Sequence, residues 1–236
     1  MTKYKVLHRL IPAYIVVLGL FLSSVFLFSN SVSVMSENLS IALQRYVLID
    51  AGHGGVDPGA LTVGGIKESN INLEIALRLN DLFHLLGIQT RMIRSTDISV
   101  YTKGNTIAEK KISDLHERVR QANDDSVSLL VSIHMNYFSD SRYSGAQVFY
   151  SKTDGSREVA QRLQNAFVST INTGSNRKSK PSAGVYLMDK VQCTAVLVEC
   201  GFLSNPEEEY KLRSKGYQQS VCCVLAATVS DFLSNT

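Results

Sequence analysis

Three apolar runs in this chain each deliver a chemically capable side chain at or just beyond their carboxyl end. Tyr46–Ile49 leads through Asp50 to His53 in the stretch VLIDAGH, SLLVSIH ends in His134, and AVLVE ends in Glu199. Runs of this length, rich in β-branched residues, read as strands buried in a sheet. In a parallel α/β sheet the carboxyl ends of the strands gather at one edge. Residues far apart in sequence are thereby drawn to one place.

The segments between the runs have helical periodicity. SNINLEIALRLNDLFHLLG repeats Ile75, Leu79, Leu82, Phe83 and Leu86 on one face, with Ser69 or Asn70 as cap and Gly87 as stop. Ile88–Arg94 reads as a strand, residues 95–111 as a long polar loop, and SDLHERVRQAND as a helix. Further strands are predicted at Gly145–Tyr150 and, in GVYLM, at Gly184–Met188, with a polar loop over Thr173–Ser182. Helices are predicted at Glu158–Ile171 and Gln218–Leu233, and Asn205-Pro206 forms a cap and first turn for a short one. This alternation argues for one α/β domain with a mostly parallel sheet flanked by helices. Residues 46–236 are long enough for a substantial core.

The amino terminus is of another kind. Lys3, Lys5 and Arg9 precede an uncharged stretch, Leu10–Phe28, the pattern of a signal sequence or signal anchor. The stretch is long for a cleaved segment and no clean Ala-x-Ala site follows, which favours retention in the membrane. The basic end then stays in the cytoplasm and the rest is exported. Residues 29–45 read as a linker. The net charge of +3 resides in this end, since residues 37–236 hold equal numbers of basic and acidic side chains. Nothing in that balance points to nucleic acid. The four cysteines, Cys193, Cys200, Cys222 and Cys223, form neither a C-x-x-C pair nor a disulfide framework and suit small buried positions.

His53, His134, Glu199 and also Glu68, at the threshold of the first helix, form a coherent chemical set. Two histidines and a carboxylate can hold a catalytic Zn2+ with one position left for water. A second carboxylate then serves as general base and acid. H-E-x-x-H is absent, so a zincin helix is excluded. Each residue also has a plainer use: His53 in solvent, His134 as a satisfied core histidine, Glu68 as a charge at a helix start. Glu199 is the hardest to place otherwise, since a carboxylate ending a buried strand needs a partner. His84 and His116 read as surface positions and His8 belongs to the basic end. Asp50 fits either a hydrogen bond to the His53 ring or a strand cap. Asn136 fits either a site or a turn role, and Arg118 either a surface position or an anchor for a buried acid.

At these residues the chain resembles a known family. IDAGHGGVDPGA, GIKESNINLEIA, DLHERVRQAN, SIHMN and LVECGFLSNPEEE are similar, in order, to the motifs of the zinc-dependent N-acetylmuramoyl-L-alanine amidases of the Amidase_3 type. The resemblance covers about Tyr46 to Leu233 and is strongest toward the family's sporulation branch. It implies a zinc-hydrolase-like α/β fold with a twisted, mostly parallel sheet, with His53, Glu68 and His134 as zinc ligands and Glu199 as the catalytic carboxylate. The implied substrate is peptidoglycan, cut between the lactyl group of N-acetylmuramic acid and L-alanine. In the sporulation branch this step leads to muramic lactam in the spore cortex. Thr194 stands where the family often has proline, and residues 95–113 are longer than a minimal linker. The autoinhibitory helix of some division amidases has no counterpart, which points to control by an accessory activator protein. The same metal chemistry also serves a zinc peptidase or deacetylase acting on the wall, and an exported wall-binding protein with an idle metal site is the remaining alternative.

Overall fold

The computed structural model describes residues 18–29, 45–62 and 64–235, which fall into two units, one within Met1–Gln44 and one over Arg45–Thr236. In the first unit residues 18–29 form a helix, α1. The basic residues Lys3–Arg9, the first part of the apolar stretch and most of the linker lie outside the described residues. Among those described, no helix is long and apolar enough to cross a membrane.

The second unit contains β1 (Tyr46–Ala51), α2 (Glu68–Leu85), β2 (Thr90–Met92), α3 (Ile107–Ala122), β3 (Val127–Asn136) and β4 (Gln147–Tyr150). It continues with α4 (Ser156–Thr170), β5 (Lys180–Pro181), α5 (Tyr186–Lys190), β6 (Thr194–Phe202), α6 (Pro206–Leu212) and α7 (Lys215–Ser234). The strands form one sheet in the order β2-β1-β3-β6-β4-β5. β2, β1, β3 and β6 run parallel; β4 is antiparallel to β6 and parallel to β5. The sheet is therefore mixed.

Strand alternation divides the core between two helical layers. Val47, Ile49, Leu129, Val131, Val196 and Val198 belong to a large core that includes Ile75 and Leu79 of α2, Leu163 of α4 and Leu225 of α7. Leu48, Leu130, Ala195 and Leu197 belong to a smaller core with Ala122 of α3 and Leu187 and Met188 of α5.

The structure corrects several expectations. GVYLM is not a strand: Tyr186–Lys190 is helical and turns Leu187 and Met188 into the smaller core. Periodicity cannot separate strand from helix in so short an apolar run. The segment 95–111 is not loop throughout. Thr106 caps α3 through the Glu109 amide, and the Glu109 side chain returns to the Thr106 amide, so the helix starts six residues before the expected Ser113. α2 begins at Glu68, with no side-chain cap from Ser69 or Asn70. α7 starts earlier than expected because Ser214 caps it at the Tyr217 amide.

Candidate metal centre and active site

One face of the sheet changes character toward the carboxyl edge. Asp50 follows Leu48 on its face, Ser132 and His134 follow Leu130, and Glu199 follows Leu197. Asp50 pairs in register with Ser132, and His134 with Glu199. The last two face each other across adjacent parallel strands, and irregular pairing follows between His134 and Asn136. Both strands run past these residues, to Asn136 and Phe202.

His53 reaches the same edge by a strained route. Its φ is 61°, a left-handed conformation that costs a non-glycine residue energy. Arg118 holds the distortion by donating to the His53 carbonyl at 2.7 Å, and Gly54 and Asp57 exchange backbone hydrogen bonds across the turn. Two glycines are demanded by space. A Cβ on Gly52 would lie 2.2 Å from the His134 ring, and one on Gly59 would lie 2.5 Å from Glu68 Oε2.

The three nearest donors converge. His53, Glu68 and His134 each offer one ligand atom, all within 4.8 Å of one another. Glu68 lies between the rings, 3.3 Å from His53 Nε2 through Oε2 and 3.1 Å from His134 Nδ1 through Oε1. The rings stand nearly perpendicular, with centroids 5.0 Å apart. Glu68 is only 4% exposed and accepts from the amides of Ala60 and Met135 and from Asn72 Nδ2. Asn72 also donates to the Gly52 carbonyl, tying α2 to the loop.

The electrostatics favour a cation among these donors. Burial pulls the His53 pKa down, but the hydrogen bonds its ring donates to the Asp57 and Glu68 carboxylates outweigh it and raise it to about 9. Burial works against the Glu68 charge, yet the two imidazoles hold its carboxyl well below the usual range. Zn2+ in open catalytic sites takes two neutral imidazoles with one carboxylate, and these residues would fit such an ion, whose binding would displace the proton from the His53 nitrogen facing Glu68. Glu199 differs. Burial raises its pKa to about 7, and its Oε2 is shielded from solvent without a hydrogen-bond partner. A carboxylate so placed is suited to exchanging a proton with a bound molecule.

The supporting side chains were mostly invisible in the sequence. Asp50 does not touch His53: it pairs with Arg118 and accepts from Ser132 Oγ at 2.6 Å. The partner of His53 is Asp57, whose Oδ2 lies 2.8 Å from Nδ1 and whose Oδ1 lies 2.6 Å from Lys111 Nζ. Arg118 is the buried anchor, binding Asp50, Asp114 Oδ2 at 2.6 Å and the Ala51 carbonyl at 3.1 Å. Arg94 is also buried and donates to the carbonyls of Ala51, Gly52 and Ser69. The segment 95–113 braces the loop, with Asp97 accepting from the Gly55 amide and Ser99 bonding Val56 and Gly54. The signal for Arg118 was a charged residue on the buried side of α3. For Asp57 it was an acid four residues from His53. His84 and His116 are exposed and away from the cluster, and Asn136 accepts from the Leu203 amide through its backbone. The four cysteines are free; Cys200 and Cys222 are buried.

Known proteins share this arrangement of fold and motifs. The Amidase_3 profile, N-acetylmuramoyl-L-alanine amidase, matches residues 47–230. The germination-specific N-acetylmuramoyl-L-alanine amidase of Bacillus subtilis is 35% identical over 197 residues, 82% of this chain and 81% of that protein. The amidase AmiA of Escherichia coli is 27% identical, over 80% of this chain and 76% of its own. Among solved structures, the CwlD amidase of Clostridioides difficile, in complex with the GerS lipoprotein, superimposes with a TM-score of 0.77. It has 34% identity, over 81% of this chain and all of that one. The match of a family profile across nearly the whole α/β unit, on the motifs that build the edge just described, establishes that this chain belongs to the Amidase_3 family of N-acetylmuramoyl-L-alanine amidases.

Proposed function

We propose that the chain is a zinc-dependent peptidoglycan amidase that hydrolyses the amide between the lactyl group of N-acetylmuramic acid and L-alanine. His53, Glu68 and His134 hold the ion and Glu199 is the catalytic carboxylate. The observation that carries this is the meeting of three ligand atoms within 4.8 Å beside a carboxylate oxygen with no partner. When bound, zinc supplies a Lewis acid for the carbonyl oxygen and lowers the pKa of water. Glu199 takes a proton from the attacking water and delivers it to the alanine nitrogen, so the peptide leaves as a neutral amine. Asp57 and the amides on Glu68 keep the ligating side chains oriented.

The biological setting is read from relatives. One is named germination-specific, and the CwlD neighbour is bound to a lipoprotein. These support a role in muramic-lactam formation in the spore cortex and an accessory activator of lipoprotein type. The basic and apolar segment of residues 1–28 supports export, with the catalytic domain of residues 46–236 held outside a membrane by a linker over residues 29–45.

The test is mass spectrometry of peptidoglycan incubated with the zinc-loaded protein. Free peptides beginning at L-alanine, with glycans bearing an unsubstituted lactyl acid, are expected. Release at another bond would replace the amidase reading with that of a different zinc hydrolase.

A further inference from the structure

Exposed aromatic rings stand immediately beyond the proposed ligands. Tyr137, Phe138 and Tyr143 are 52%, 49% and 45% exposed, and they follow His134 at the end of β3. At the rise of an extended chain, Tyr137 is no more than about 10 Å from His134. Two of the rings are held in a stack. Phe138 meets Tyr143 edge-on with centroids 5.0 Å apart, Tyr143 stacks on Phe202 at 6.1 Å, and the Arg177 guanidinium lies over Phe202 at 5.1 Å. Phe202 is buried in β6, three residues past Glu199, so the stack is rooted in the strand that carries the proposed catalytic carboxylate. Hydrogen bonds lace the two segments together: the Leu203 amide donates to the Asn136 carbonyl, the Phe138 amide to Ser204 Oγ and Asn205 Nδ2 to the Tyr143 carbonyl.

Large rings left half in water by a fold that fixes their orientation are poorly explained by stability alone. Beside them opens a polar cleft of about 540 Å³, lined by Arg142 and Ser144 on either side of Tyr143, by Ser175 and Lys211, and by the carboxylates of Glu207 and Glu208. An aromatic face bordered by hydroxyl, cationic and carboxylate groups matches the chemistry of a pyranose, which presents C–H groups on its faces and hydroxyls that donate and accept at its rim.

Resting on the peptidoglycan reading above, we propose that Phe138 and Tyr143 form a stacking platform for a sugar of the glycan strand. Its polar substituents face the cleft lined by Arg142 and Lys211. Because the rings are already ordered by Phe202 and Arg177, little freedom is lost when the sugar docks. The platform positions the strand so that the lactyl amide of a neighbouring residue reaches Glu199. Chains without tryptophan can build such a surface from phenylalanine and tyrosine, and this chain has no tryptophan.

The test uses the full-length, zinc-loaded chain carrying Glu199→Gln, so that binding to purified peptidoglycan sacculi is measured by co-sedimentation without turnover. Phe138→Ala and Tyr143→Ala are expected to weaken binding about tenfold each. Tyr143→Leu, which keeps apolar bulk without the π face, should behave like the alanine variant, while Phe138→Tyr and Tyr143→Phe restore binding. In the active chain the same substitutions should raise KM more than they lower kcat. Zinc content and melting temperature serve as controls for the fold. Unchanged binding by the alanine and leucine variants overturns the platform, leaves the amidase reading intact and assigns the rings to a protein partner instead. A parent chain that neither sediments with sacculi nor releases peptide overturns the amidase reading and the platform with it.

Discussion

Asp57 Oδ2 lies 2.8 Å from His53 Nδ1, on the opposite side of the ring from the Nε2 that faces Glu68. On metal binding the bond would keep the remaining proton on Nδ1 and turn Nε2 to the ion. Lys111, at 2.6 Å from the other oxygen of Asp57, holds that carboxylate in place from α3. Asp57→Asn should therefore weaken zinc binding by about 10- to 100-fold with the fold retained. Competition against a chelator of known affinity measures this directly, and an unchanged affinity would show that the ring is oriented by packing alone.

Glu199 is not among the three converging donors, so its removal separates binding from chemistry. Glu199→Gln should retain stoichiometric zinc and lose roughly 10²- to 10⁴-fold in kcat, the usual contribution of a positioned general acid-base. Metal analysis beside peptide-release kinetics checks both halves. Substantial turnover by a zinc-loaded variant would remove Glu199 from the reaction.

Gly52 has no room for a side chain because the His134 ring occupies the space. Gly52→Ala should displace that ring and lower zinc affinity at least about tenfold, at a stability cost of about 1–3 kcal/mol from overpacking. Thermal unfolding and zinc titration of the same variant test this. Normal affinity would mean that the strand ends can part without disturbing the ligand.

Asp50 and Arg118 form a buried ion pair beneath the loop. Burial opposes the Asp50 charge, but Arg118 prevails and holds its pKa below the usual carboxylate value. A group whose folded pKa is depressed stabilises the protein above its unfolded pKa of about 4, and that contribution is lost as pH falls through the folded value. Asp50→Asn should cost about 3–5 kcal/mol at pH 7, because Arg118 is left buried with less compensation. The difference from the parent should shrink below about pH 4, and urea unfolding across pH 3 to 7 measures it. A pH-independent difference would assign the loss to packing instead of charge.

The thiols divide by exposure. Cys200 and Cys222 are buried, and burial pushes their pKa upward, to about 12 for Cys222; that of Cys193 rises to about 11. Cys223 is exposed on α7. Brief treatment with iodoacetamide at pH 7.5, followed by peptide mapping, should label Cys223 well ahead of the others, and denaturation should equalise all four.

The four residues that carry the proposed chemistry were legible in the sequence, and so were the parallel strands β1, β2, β3 and β6, whereas β5 lies in a segment read as loop. His53, His134 and Glu199 stand at or just beyond the ends of apolar runs, and parallel packing gathers such ends at one edge. Glu68 stood at the start of a periodic helix, and Tyr186–Lys190 was misread because five residues are too few to display a period. What the sequence could not specify is which groups steady the site. Asp50 and Asp57 are both acids near His53, and only the turn at φ 61° decides that Asp57 reaches the ring while Asp50 points to Arg118. Arg94, Lys111 and Arg118 come from segments 41 or more positions away, and their partners are largely backbone carbonyls and carboxylates. Local pattern determines strands, helices and the chemical types at their ends, because these depend on short-range periodicity. Hydrogen bonds that cross from one element to another depend on where the chain is placed in space, and the tertiary structure alone decides those.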